Sequence, residues 1–217
     1  MTTFEGQRLA CIRSDRIVFS DLDFSVSAGG ALILTGANGS GKSSLLRLMA
    51  GLGRPAAGRL LWNGVPVDED RDAFHAGLHY LGHRDAIKPA LTVRENLAFH
   101  AALRGRTGDG AIEDALSAVG LQALADMPAR MLSAGQTRRL AIARVLATPA
   151  RLWLLDEPTI ALDAASVSAV FAAVARHRAG GGMIVASTNV PLAIEDAERL
   201  DLTDFRDAET TPWGDAA

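Results

Sequence analysis

Gly36-Ala37-Asn38-Gly39-Ser40-Gly41-Lys42-Ser43 fits the pattern G-x-x-x-x-G-K-[ST], with Ser44 directly behind it. Residue types at that spacing do one kind of chemistry well. Glycines let the backbone curl until successive N–H groups point at one anion, and a helix starting at the lysine adds the positive end of its dipole. Lys42 then has the reach for β and γ phosphates, and the Ser43 hydroxyl can ligate Mg2+. The bland alternative is a glycine-rich turn that matches by accident. At average residue usage a chain of this length shows the pattern by chance on the order of one time in a hundred. The strand-like run before the loop and the helical run after it lower that figure further, so the loop reads as a nucleoside triphosphate site.

A second constellation is Leu152-Trp153-Leu154-Leu155-Asp156-Glu157. Its apolar run predicts a buried parallel strand, and open α/β sheets place ligands at the carboxyl ends of such strands. Asp156 is suited to hold Mg2+, directly or through its water. Glu157 can face a water attacking the γ-phosphate, as general base or water-positioner. Alone, an Asp-Glu-Pro turn would simply end a strand; beside the glycine-rich loop the functional reading wins. A third candidate is Leu132-Ser133-Ala134-Gly135-Gln136. Ser133 and Gln136 form a capping-box pattern, and an ordinary helix start is the better reading in isolation. A hydroxyl, a glycine and a helix N-terminus together nevertheless also make an anion site.

The elements that must position these residues alternate between short apolar runs and helical spacing, which predicts an α/β fold around a largely parallel sheet. Strands are expected at 9–12, 17–19, 22–26, 31–35, 60–62, 151–156 and 183–186. A helix is expected over 41–51, where Leu45, Leu46, Leu48 and Met49 share an apolar stripe. The middle, 92–146, reads as helical, opening on a Thr92–Glu95 capping box and broken at 105–110; a further helix covers 164–179. The reading is one core over 1–204 with a helical insert at about 87–147, and a polar tail over 205–217.

Composition narrows the function. The 217 residues carry 22 Lys and Arg against 25 Asp and Glu, a net charge of −3, which speaks against sequence-independent nucleic-acid binding. The single cysteine, Cys11, can form no internal disulfide and reads as a buried, inert thiol. No run approaches the roughly 18 apolar residues of a membrane span, and residues 1–6 lack a signal pattern. A soluble cytoplasmic protein is expected.

The glycine-rich loop, Leu-Ser-Ala-Gly-Gln and Leu-Leu-Asp-Glu-Pro, in that order, resemble the ATP-binding subunits of ABC transporters. The resemblance covers about residues 9–202. It implies a P-loop NTPase of the ABC ATPase type, with a RecA-like core, an antiparallel β region and a helical sub-domain. Residues 36–44 then bind ATP, Ser43 and Asp156 hold Mg2+, and Glu157 is catalytic. Ser133, Ala134, Gly135 and Gln136 correspond to the signature motif that meets ATP across a homodimer, and Asp163 lies in the D-loop. Two membrane-spanning permease subunits are implied as partners.

The chain departs from that family at three places. Arg13 stands where an aromatic residue stacks on adenine, and a guanidinium can also lie over a base. His83 occupies the position of a glutamine between the sub-domains. Asn189 replaces a histidine near the γ-phosphate, which implies slow turnover with binding intact. Softer stretches, among them Leu81-Gly82-His83, Glu95-Asn96-Leu97 and Val190-Pro191-Leu192, are similar to the ATPase of the haem exporter-type complex of cytochrome c maturation. That implies CcmB-like permeases and a peripheral position on the cytoplasmic face of the inner membrane. The competing readings are the ATPase of a drug, peptide or lipid exporter, and a slow-hydrolysing ATP-gated module. Chromosome and DNA-repair ATPases with the same motifs need long coiled-coil insertions, for which the chain has no room.

Overall fold

The computed structural model describes residues 2–105, 109–189 and 194–205. Nine strands, six α-helices and three short 3-10 turns are described there. The strands fall into two sheets. An antiparallel sheet has the order β2-β1-β4-β5, from β1 (Thr3–Arg13), β2 (Arg16–Ser27), β4 (Ala57–Trp62) and β5 (Val65–Pro66). A second sheet has the order β6-β7-β8-β3-β9, from β3 (Ala31–Thr35), β6 (Leu78–Leu81), β7 (Leu152–Asp156), β8 (Met183–Ser187) and β9 (Glu198–Asp201). All its pairings are parallel.

The inner strands β3, β7 and β8 are buried on both faces, which explains their continuous apolar runs. Alternate residues still go to different cores. Leu32, Leu34, Leu152, Leu154, Met183 and Val185 face the antiparallel sheet and α1 (Lys42–Met49). Ile33, Trp153, Leu155, Ile184 and Ala186 face the helical side. That side is built from α3 (Val93–Leu103), α4 (Asp109–Ala118), α5 (Ala134–Leu146) and α6 (Ala164–Ala179). On α3 the expected Thr92–Glu95 capping box forms with both reciprocal bonds, and Leu97 beneath it is fully buried.

The observed elements depart from the sequence reading in definite ways. The runs at 17–19 and 22–26 are one strand, β2, which continues through Asp21 in a left-handed conformation at φ 51°. The stretch 92–146 is not continuous helix: two 3-10 turns, Gln122–Leu124 and Ala129–Met131, separate α4 from α5. Between them the Val93 and Arg94 amides donate to Met127 O and Ala125 O, tying the turns to α3. On α3, Phe99 and Leu103 are exposed. Elements the patterning did not show are the two-residue β5, β6, β9 and the six-residue α2 (Arg71–Ala76). Cys11 is buried as expected, and burial raises its thiol pKa. Val190, Pro191 and Leu192, and most of the tail, lie outside the described residues.

Candidate functional site

The glycine-rich loop leaves the carboxyl end of β3, between β8 and β9 in the parallel sheet, and enters α1 at Lys42. Gly41 is the residue before the helix at φ 106°. A Cβ there would come within 2.6 Å of Val18 Cγ1, so both the conformation and the space require glycine. The Lys42 side chain is only 7% exposed. Its ammonium donates to Gly36 O at 2.6 Å and Ala37 O at 3.1 Å, so the loop closes around its own lysine. Ala37, Asn38, Gly39 and Ser43 are exposed, while Gly36, Gly41 and Ser44 are half-buried. Ser40 is fully buried.

Two further carboxyl ends meet this loop. Ser43 Oγ, in the first turn of α1, donates to Asp156 Oδ1 at 3.1 Å. Ser187, at the end of β8, donates to the same oxygen at 2.6 Å and accepts from the Glu157 amide at 3.1 Å. Glu157 holds a left-handed backbone at φ 47°, a conformation that costs a non-glycine residue about 1–2 kcal/mol. Such strain persists only where surrounding bonds over-determine it. Here they do. The Glu157 amide is bonded to Ser187, and the carbonyls of Asp156 and Glu157 each accept from Arg138 Nη2 at 2.7 Å. The Glu157 carboxylate in turn accepts from Asn189 Nδ2 at 2.5 Å.

The structure therefore joins Ser43, Asp156, Ser187, Glu157 and Asn189 in one hydrogen-bonded group at the ends of β3, β7 and β8. Arg13 and His83 lie outside it. Arg13 is exposed at the end of β1, paired with Arg16 across a tight hairpin; His83 is exposed in the segment following β6. Ser133 caps α5: its hydroxyl accepts from the Gln136 amide at 3.2 Å, and Gln136 Oε1 accepts from the Ser133 amide at 2.9 Å. Ser133 and Ala134 are exposed. A Cβ on Gly135 would stand 3.0 Å from Ala161 O, so the turn abuts the segment leading to Asp163. Asp163 caps α6 by accepting from the Ser166 amide at 2.8 Å. The Ser166 hydroxyl and amide hold its carboxyl below the usual range.

Two members of the site were not singled out from the sequence. Ser187 gave a weak signal, a hydroxyl ending the apolar run beside that of Asp156. Arg138 gave a better one. It shares a helix face with Ala141, Ile142 and Val145, all buried, and a charged residue on an apolar stripe demands partners.

The donor set suits a hard cation. A hydroxyl and a carboxylate oxygen 3.1 Å apart are the ligand types Mg2+ accepts when phosphates complete its shell. Among the described residues no group of three or more His, Cys, Asp or Glu could hold a metal alone. None of the described helices is long and apolar enough to cross a membrane.

Comparison with known proteins defines the class. The sequence profile of the ABC transporter family matches residues 19–160, and the fold superposes on an ABC transporter ATP-binding protein from Pyrococcus furiosus with a TM-score of 0.83. That match covers 94% of this chain and 100% of the other at 24% identity. The chain belongs to the ABC transporter family. Within it the chain is CcmA-like. It is 53% identical to the cytochrome c biogenesis ATP-binding export protein CcmA of Paramagnetospirillum magneticum, over 97% of this chain and 99% of that protein. It is 54% identical to CcmA of Rhodospirillum rubrum, over 93% and 86%. Against CcmA of Escherichia coli K12 the identity is 42%, over 96% and 100%.

Proposed function

We propose that this chain is the ATP-hydrolysing subunit of a haem exporter-type complex of cytochrome c biogenesis. The observation that carries the reading is identity of 53% to a CcmA protein along nearly the whole of both chains. The hydrogen-bonded group at the carboxyl ends of the parallel sheet supports it. In this reading residues 1–204 form one ABC ATPase domain with a helical sub-domain at about 87–147.

The roles follow from the chemistry of each side chain. Backbone amides of residues 36–44 and the Lys42 ammonium cradle the phosphates; Lys42 exchanges its two loop carbonyls for phosphate oxygens, a charge-assisted and stronger bond. Ser43 and Asp156 hold Mg2+, which when bound draws charge from the β and γ phosphates. Glu157 orients the attacking water and accepts its proton. Asn189 supplies a neutral donor beside that carboxylate. Arg13 lies over the adenine, and His83 approaches the Mg2+ or its water. Ser133, Ala134, Gly135 and Gln136 serve the nucleotide of a second copy, with Asp163 between, so that a homodimer holds two ATP. The helical side meets CcmB-like permeases at the cytoplasmic face of the inner membrane.

A second reading rests on Asn189: a module that closes on ATP and opens slowly. Phosphate release by the parent chain with and without its membrane partner separates the two readings, since the module would bind ATP and dimerise without turnover; paired variants test the site. Lys42→Ala is expected to abolish triphosphate binding. Glu157→Gln is expected to bind ATP normally and accumulate a long-lived dimer, measured by light scattering alongside phosphate release. Normal turnover in Glu157→Gln would remove that residue from the chemistry. Recovery of an integral membrane protein of another exporter, instead of the cytochrome pathway, would overturn the assignment to cytochrome c biogenesis.

A further inference from the structure

Arg138 is 2% exposed and lies one turn into α5, the helix that Ser133 opens. Its guanidinium is divided between two places. Nη2 donates to Asp156 O and Glu157 O, each at 2.7 Å. Nη1 donates to Gly82 O at 3.0 Å and to Asp85 Oδ1 at 2.8 Å, in the segment that follows β6 and carries His83. One planar group thus grips the carboxyl end of β7, the segment after β6 and the signature helix at once.

The two carbonyls it holds flank the strained residue. The Glu157 φ of 47° is fixed on the amide side by Ser187 and on the carbonyl side by Arg138. Without that second grip the backbone is free to relax toward a right-handed conformation, and the carboxylate swings with it. A misplacement of about 1 Å at a reacting group can cost about 100-fold in rate. The phosphate loop, by contrast, is built from β3 and α1 and touches Arg138 only through Asp156, whose carboxylate is held independently by Ser43 and Ser187. We propose that Arg138 is a positioning residue. It holds Glu157 in its reactive conformation and ties that conformation to the placement of α5 and residues 82–85, so that hydrolysis depends on it and nucleotide binding does not. This rests on the reading of Glu157 given above.

The test uses the full chain with Arg138→Met, Arg138→Lys and Asp85→Ala, measuring kcat, KM, thermal midpoint and affinity for a fluorescent ATP analogue. Arg138→Met is expected to lower kcat by about 30- to 100-fold while affinity stays within about threefold. Arg138→Lys is expected to restore a minor part of kcat, because a lysine lacks the planar fork that serves both places. Asp85→Ala removes the charged one of the two Nη1 contacts but leaves Gly82 O and both strand carbonyls held, so a smaller loss of about three- to tenfold in kcat is expected. If Arg138→Met does not fold, Arg138→Lys and Asp85→Ala decide the matter by the same split. Wild-type kcat in a folded Arg138 variant, or affinity falling in step with kcat, overturns the proposal. Lys42→Ala and Glu157→Gln run beside them as controls. Should these keep binding and turnover, the site reading itself has failed; should they behave as expected while Arg138→Met turns over normally, only the role of Arg138 has.

Discussion

Asn189→His is the most direct probe of what limits the rate. Asn189 stands exposed beyond β8 with its amide nitrogen on Glu157 Oε1, and an imidazolium there would add a full positive charge next to the proposed γ-phosphate position. A unit charge at about 4 Å contributes about 4 kcal/mol at an effective dielectric constant near 20. The phosphate is already anionic in the ground state, so only the share of interaction that grows in the transition state speeds the reaction. If about a third of it is differential, the gain is about 1.4 kcal/mol, or tenfold in kcat. Exposure of the site makes this an upper figure, because water screens the added charge. The assay is phosphate release at saturating Mg-ATP across pH 6 to 8.5. The gain should be largest at low pH and fade as the imidazole loses its proton, given an ordinary histidine pKa of about 6.5. Affinity for ATP should hardly move. A variant no faster than the parent at any pH would show that the missing charge does not limit turnover.

Other perturbations separate stability from chemistry. Ser133→Ala removes one cap bond to Gln136, worth about 1 kcal/mol and about 2–4 °C in Tm. If Ser133 also meets a partner's nucleotide, turnover should fall about 100-fold; a fall no larger than the stability loss would leave it a helix cap. Leu97→Ala, at a fully buried position, should cost about 2–5 kcal/mol in unfolding free energy while ATP affinity in the folded protein is unchanged. His79, buried with Nε2 2.8 Å from Thr148 O, has its pKa lowered to about 4, first by burial and then by Arg104. Its unfolded form takes up a proton that the folded form refuses. Stability should therefore be full above about pH 6.5 and decline as pH falls toward 4. Denaturant titrations of His79→Gln should show a flatter pH dependence in that window.

What the sequence made legible is what local chemistry dictates. The glycine pattern, the apolar run into Asp156 and the interval 164–179 each carry their own signal, and α6 spans Ala164–Ala179 as read. The missed elements lack one. In β9 the residues Glu198–Asp201 are mostly charged, because an edge strand beside β3 need not be apolar on both faces. In α2 only Phe74 is buried, which leaves no periodicity to find. In β6 a histidine interrupts the apolar run, and only Thr148, 69 residues away, explains its burial. Phe99 and Leu103 look like core by type, yet one helix cannot turn every apolar residue inward; Val93, Leu97 and Ala101 occupy its inner face.

Register is the harder loss, and the site depends on it. Ser187 pairs with Leu34 on one side and Asp156 on the other, so three strand ends finish at the same level. Side chains alternate faces along a strand, and a slip of one residue would move Asp156 to the opposite face of the sheet. Ser187 would then have no carboxylate to donate to, and the Glu157 amide no hydroxyl. Nothing within residues 152–157 specifies that level. It is set by the pairing of Leu152, Leu154, Met183 and Val185 toward one core and of Trp153, Leu155, Ile184 and Ala186 toward the other. Apolar packing on two faces thus fixes, to one residue, where the polar chemistry at the strand ends is performed.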